Sequence, residues 1–401
     1  MSLLVAAYLA VLSLLISLAI AGGVLLYRES GPDGAAEAAA DAHGYDLVSW
    51  EITHFPEKWL YKLQHLLGGQ SEGEDDDDVV CEYFELAAEM REAAGGAADG
   101  GSELLSEIEN EVEDVIEGRV TAVLEDEGLA LEPPLFSDLG LVFPPVDFEF
   151  GTTPRVLSVS PRERIELRDS YLLSPDLNLE EIGNIERNAE ADNRGDSGIS
   201  ALVIRTGGLS SYPSVVFENA SYESLVETVF HEWLHSYLIF FPLGASYFGS
   251  NEARTLNESV ANIAGKDLAR LYFERYGTLE EMCRAPPAAA TPSPAPAAFD
   301  FTSEMRELRR TVEALLEDGR IGEAEALMAA KRDDFQAKGV FIRRLNQAYF
   351  AFHGFYADTP GSIDPIGPKL QTLLERAGSP GEFVRRTSGI TSRAELDQEL
   401  E

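Results

Sequence analysis

Positive charge is scarce in this sequence. Its 401 residues carry 31 Lys and Arg against 70 Asp and Glu, a formal charge of -39 at pH 7. Such a polyanion repels phosphate backbones, which argues against nucleic acid as a partner. Cysteine is nearly absent. Cys81 and Cys283 stand far apart and form no CxxC pair, so a structural zinc ribbon is unsupported. A disulfide between them would need an oxidising compartment and is left open. Histidine is rare too, with six in the whole chain. Beyond the first thirty residues no long charge-free apolar run exists. The most apolar later stretch, Ser224 to Leu243, contains Glu227, His231, Glu232 and His235. Four ionisable groups on one short helix belong in a protein site, not in lipid.

What is present begins with Leu3 to Tyr27, about 25 residues without a charge, ended by Arg28. About 20 apolar residues suffice to span a bilayer as a helix. The rival reading is a cleaved signal peptide, with Ala19 and Ala21 as a small-x-small site. No basic residue precedes the run, and it exceeds the usual h-region of about 7–15 residues. An uncleaved single-pass anchor over residues 1–28 is therefore expected. Arg28 alone votes weakly for a cytoplasmic C-terminal side.

Residues 29–140 read as an acidic, helical juxtamembrane region. Trp50, Trp59, Tyr61 and the nearby basic residues suit either a membrane surface or ordinary packing. The EGEDDDD run at 72–78 lacks an EF-hand pattern and reads as a solvated loop. Helices follow at about Val79 to Ala94 and Glu103 to Asp126. From Leu141 the pattern changes to short alternating strands, with one helix at about Asn178 to Ala191 and a hairpin near Gly207 and Gly208. Helices resume at about Tyr222 to Phe240 and Arg254 to Tyr276, closing a region over 141–285. A Pro/Ala-rich loop occupies 286–299. Residues 300–401 form a helical lobe: a pair at Ser303 to Glu317 and Gly322 to Ala337, a helix at about Phe341 to Asp358, and short helices from Lys369. The expected fold class is α+β, with an N-terminal transmembrane helix, a mostly antiparallel sheet beside the two central helices, and a helical C-terminal lobe.

Residues 231–235 read HEWLH. Positions i and i+4 share one helix face, so His231 and His235 can present two imidazole nitrogens to one zinc ion. Glu232, beside the first ligand, can reach a metal-bound water and take its proton as general base. A second motif, TLNESVANIAG at 255–265, places Glu258 near the start of the next helix, 23 residues after His235. A carboxylate from that helix completes a His/His/Glu set and leaves a fourth position open.

HExxH followed by NExxA resembles the gluzincin clan of zinc peptidases, the thermolysin and membrane-alanyl-aminopeptidase type. It is also similar to a family of putative bacterial aminopeptidases. The likeness covers about Thr206 to Tyr276. It implies one zinc ion on His231, His235 and Glu258, with Glu232 as base, and aminopeptidase-like action on peptide or protein substrates; with the N-terminal span, the expectation is a membrane-anchored enzyme of a bacterial-type cell membrane. The clan places an aspartate four residues after the glutamate ligand; here Asn262 stands there, and its amide oxygen could still accept from a histidine. The clan also needs a donor for the developing oxyanion. Tyr349 and His353, on one face of LNQAYFAFHGFYAD together with Tyr356, are the candidates, in that order; the same aromatics would also suit simple core packing. By the same analogy Ser214 to Phe217 forms a sheet edge that pairs with substrate backbone.

Two non-enzymatic readings compete: a membrane scaffold with a structural zinc, and a zinc-free helical interaction protein that uses its acidic N-terminal half.

Overall fold

The computed structural model describes residues 34–47, 76–93, 101–130, 142–191, 198–283 and 299–401. The described residues are about 60% helical, with two small three-stranded sheets.

Helices α1 (Ala35–Ala42), α2 (Asp76–Ala93) and α3 (Gly101–Asp126) come first. Val112, Ile116, Val120 and Val123 recur at helical spacing along α3 and are buried with Val80, Tyr83 and Phe84 of α2. Strand β1 (Phe148–Gly151) is followed by β2 (Arg155–Pro161), β3 (Asp169–Leu173), α4 (Leu179–Glu190), β4 (Ile199–Arg205), β5 (Gly208–Leu209) and β6 (Ser214–Phe217). One sheet, in the order β3-β2-β4, is antiparallel throughout. The other, β1-β6-β5, pairs β1 parallel to β6 and β5 antiparallel to it.

Both sheets are closed on one side by the same device. A strand edge exposes unpaired N–H groups that invite another chain. On α3, Glu117 and Glu113 accept from the N–H groups of Phe148 and Phe150 at 3.1 and 2.8 Å. On α4, Glu186 and Glu190 accept from Val203 and Ala201 of β4 at 2.8 and 3.1 Å. Each pair is spaced i, i+4, one helix face laid along one strand edge. Residues 43–45 cover part of β3. Among the described residues, short β5 therefore carries the uncovered edge of its sheet.

Next come α5 (Tyr222–Leu238), α6 (Pro242–Ala245) and α7 (Asn251–Tyr276), with α8 (Leu279–Met282) after them. Ser221 and Ser250 cap α5 and α7 by accepting from Ser224 N and Ala253 N. Leu225, Val226, Val229 and Phe230 of α5 pack on Val260, Ile263, Ala264 and Leu268 of α7 in the largest core cluster. Burying each of the Val, Leu, Ile and Phe side chains contributes about 1.5–3 kcal/mol. Gly265 lets the two backbones meet, because a Cβ there would stand 3.3 Å from His231 N. A disulfide joins Cys81 of α2 to Cys283 just after α8, Cα to Cα 5.4 Å. The C-terminal lobe holds the helix pair α9 (Phe301–Glu317) and α10 (Ile321–Ala337), then α11 (Gln347–His353), α12 (Ile366–Ala377), α13 (Pro380–Thr387) and α14 (Arg393–Leu400).

Three sequence expectations need correction. First, no helix among the described residues is long and apolar enough to cross a membrane. The Leu3 to Tyr27 segment lies outside the described residues, as do Trp50, Trp59 and Tyr61. The transmembrane helix and the single-pass membrane localisation are therefore withdrawn. Second, the single, mostly antiparallel sheet is two separate small sheets in a predominantly helical chain, and the one beside α5 contains a parallel pair. Ser214–Phe217 is its central strand, not an edge. Third, the helix expected over Phe341 to Asp358 is confined to Gln347–His353. Asn346 starts it by accepting from Tyr349 N, while Arg343 and Arg344 hold the preceding segment to Glu186 and Glu190.

Candidate metal centre

α5 and α7 aim three side chains at one point. His231 Nε2 and His235 Nε2 lie 3.0 Å apart, and Glu258 Oε2 lies 3.6 and 3.4 Å from them. Tetrahedral zinc with bonds of about 2.0–2.1 Å needs ligand atoms about 3.3 Å apart, and these three separations bracket that figure. Glu258 Oε2 is buried and has no hydrogen-bond partner. A buried carboxylate oxygen that accepts no hydrogen bond needs positive charge beside it, which a protonated His235 or a cation held by these three groups would supply. The donor set therefore fits a divalent cation of the zinc type.

The remaining polar atoms of the cluster are held from behind. Asn257 Oδ1 lies 2.8 Å from His235 Nδ1, so the amide fixes the ring with Nε2 facing the cluster. Tyr247, in the turn between α6 and α7, donates to Glu258 Oε1 at 2.5 Å. Arg254 lies over the Tyr247 ring, 5.2 Å from its centroid. Glu232 is 7% exposed. A Cβ at Gly208 would come within 2.5 Å of Glu232 Oε1 and 2.8 Å of Thr228 Cγ2, so only glycine lets β5 run against this carboxylate. Ser210 Oγ, just beyond β5, donates to Glu232 O at 3.3 Å.

Electrostatics separate the two carboxyls. Burial raises Glu232 above the usual carboxylate range, against the pull of His231 and His235. Burial would also raise Glu258, but His235 and His231 outweigh it and hold its carboxyl well below that range. Burial lowers the His235 imidazolium, yet Glu258 first, then Glu232 and Asn257, lift its pKa to about 9.

The expected oxyanion donors Tyr349 and His353 contact each other as a tilted ring pair with centroids 4.3 Å apart. Neither makes a hydrogen bond or ring contact with His231, Glu232, His235 or Glu258 among the described residues. Burial alone lifts Tyr349 to about 12 and lowers His353 to about 4. A second tyrosine beside the cluster, after Tyr247, is Tyr356, its ring centroid 6.1 Å from that of His231. Burial raises its pKa, and the nearby charge of Glu258 raises it further. Asn262, at the position where the clan has an aspartate, donates its amide N–H to Asp358 Oδ1 at 2.7 Å.

His353 gives a pH-dependent stability. Its folded pKa, about 4, lies below the unfolded value of about 6.5. Between those values the unfolded chain binds the proton and the folded one does not. Stability is thus complete above about pH 6.5 and falls as pH drops towards 4, by about 2–3 kcal/mol at pH 4.5. Urea unfolding of His353→Gln at pH 7 and 4.5 should show that part of the slope removed; an unchanged slope would show that His353 does not resist protonation.

Tyr247 and Tyr356 were not singled out for these places by sequence reasoning. Tyr247 follows no periodic pattern, and only the Gly and Ser residues around it mark a turn. Asn257 was visible as the first residue of NExxA but had no assigned role. No protein-family model, no curated protein and no solved structure matches this chain.

Proposed function

We propose that this protein is a zinc-dependent peptidase whose centre is His231, His235 and Glu258, with Glu232 as general base. The observation that carries this reading is the triangle of two imidazole nitrogens and one orphaned carboxylate oxygen, at 3.0, 3.4 and 3.6 Å, with a second buried carboxylate on the residue next to His231. A structural site uses four protein ligands; three ligands beside a base suit hydrolysis. A zinc ion held by His231, His235 and Glu258 would supply Lewis-acid polarisation and make water a nucleophile near neutral pH. The likeness of HEWLH and TLNESVANIAG to gluzincin motifs supports the same chemistry.

The chain's own groups divide the work. Glu232, kept basic by burial, accepts the proton of the attacking water and returns it to the leaving amine. Tyr356, on the His231 side, donates to the oxygen on which negative charge develops. Tyr247 is already committed to Glu258 Oε1 and holds that carboxylate so that Oε2 faces the histidines. The open edge of β5 offers backbone groups beside Glu232, which suits an extended peptide held without regard to its side chains.

The test is hydrolysis of a quenched fluorescent peptide library by the full chain. Chelation should lower the rate by at least ~100-fold, and one equivalent of zinc should restore it. A zinc-loaded protein that cleaves no peptide, or cleavage indifferent to the chelator, would end this reading.

A further inference from the structure

We propose that Asp358 is a positioning residue that holds the Tyr356 hydroxyl over the metal centre by locking the segment after α11 onto α7. The inference rests on the peptidase reading for what Tyr356 does, but the lock itself is a matter of geometry.

α11 ends at His353, and the chain then leaves the helical path. Local bonds shape the turn itself, with Tyr356 N donating to His353 O at 3.3 Å and Thr359 N to Tyr356 O at 2.9 Å, but these do not set its place relative to α7. Four hydrogen bonds from one helix supply the tether. Ser259 Oγ donates to Phe355 O at 3.0 Å and accepts from Ala357 N at 2.9 Å, gripping the backbone on both sides of Tyr356. Asp358 Oδ1 accepts from Asn262 Nδ2 and Oδ2 from Lys266 Nζ, both at 2.7 Å. Ser259, Asn262 and Lys266 follow at i+3 and i+7, a single stripe of α7. The stripe begins at the residue after the ligand Glu258. The same helix therefore sets Glu258 and the tyrosine, and α7 ties the turn that carries Tyr356 to the helix that carries Glu258.

The chemistry of Asp358 supports positioning over mere packing. Its side chain is only 11% exposed, whereas its partner Lys266 is 48% exposed. Burying a carboxylate costs free energy unless its oxygens are hydrogen-bonded, and here both are. An apolar residue would fill that place more cheaply if only cohesion were needed. Two charge-assisted bonds to neighbouring turns of one helix instead define direction as well as distance. A donor displaced by about 1 Å can cost about 10²-fold in rate. Asn262 acquires a role on this view: a donor at that position anchors Asp358, where an aspartate would repel it.

The experiment is a double-mutant cycle in the full, zinc-loaded chain, read by kcat and KM on a fluorogenic peptide, zinc stoichiometry, and amide hydrogen exchange. Tyr356→Phe should lower kcat by about 10²–10³-fold with zinc retained. Asp358→Ala should lower kcat by about 10–10²-fold with KM and zinc content unchanged. Combined, the two should cost no more than about twofold beyond Tyr356→Phe alone. Asp358→Asn, which keeps the acceptor for Asn262, should recover most of the loss. Exchange at amides 355–359 should quicken in Asp358→Ala while α5 stays protected. Multiplying losses, release of zinc by Asp358→Ala, or unchanged exchange at 355–359 would each overturn the proposal. If the zinc-loaded wild type cleaves no peptide, the peptidase reading fails by itself, and the exchange result still decides whether Asp358 holds this segment.

Discussion

Glu232→Gln is expected to lose about 10²–10⁴-fold in kcat while keeping a full equivalent of zinc. Glutamine matches glutamate in size, so it fits the slot between α5 and β5 that only Gly208 leaves open. What it lacks is basicity. Glu232 is not among the three groups that converge on the metal position, so the substitution leaves that triangle intact. Loss of turnover without loss of zinc separates a base from a ligand. It also separates the enzyme from a scaffold with a structural zinc, whose function should ignore this change. Zinc content comes from metal analysis of the dialysed protein, and turnover from the fluorogenic peptide. Full activity in the variant would remove Glu232 from the mechanism; loss of zinc would make it a ligand and break the proposed division of labour.

The centre was legible in the sequence to the extent that it depends on local periodicity. HEWLH sits in a helix whose apolar positions Val226, Val229, Phe230 and Leu234 are all buried. The spacing between His231 and His235 follows from the helix alone. Glu258 was also legible, because an apolar run after it demanded a second helix packed on the first. Tyr356 was not. Its place was read from a helix extended to Asp358, in which Tyr349, His353 and Tyr356 would share one face. The helix stops at His353, and the position of Tyr356 is set by Ser259 and Asn262, about a hundred residues earlier in the chain. Contacts of that range leave no periodic trace.

The sheets went astray for a related reason. Each strand was recognisable as a strand, but neither partner nor neighbour is written locally. Ser214–Phe217 becomes central because Phe148–Gly151, sixty-odd residues away, pairs with it in parallel. Edge status then passes to Gly208–Leu209, whose glycine, expected in a hairpin, also makes room for Glu232. The membrane expectation came from the charge-free run Leu3 to Tyr27, which lies outside the described residues, and nothing in the described fold carries it.

His235→Ala is the second large effect. Removing one of three protein ligands should weaken zinc binding by well over the ~10–100-fold that follows loss of an outer partner such as Asn257. Comparing His235→Ala with Asn257→Ala by competition against a zinc chelator checks that order directly; equal affinities would remove His235 from the ligand set. The metal-free centre adds a proton count. With its pKa lifted to about 9 by Glu258, His235 carries a proton at neutral pH. A metal can take only the neutral ring, so that proton must leave when zinc binds. The sign follows: below about pH 9 affinity falls as pH falls, by up to about tenfold per unit from this group, because the competing proton is bound ever more fully. Calorimetric titration at pH 7.5 in buffers of different ionisation enthalpy should count about one proton released from His235 per zinc, and His235→Ala should lack that release. An unchanged proton count in the variant would mean that the ion pair between His235 and Glu258 is not what the metal displaces.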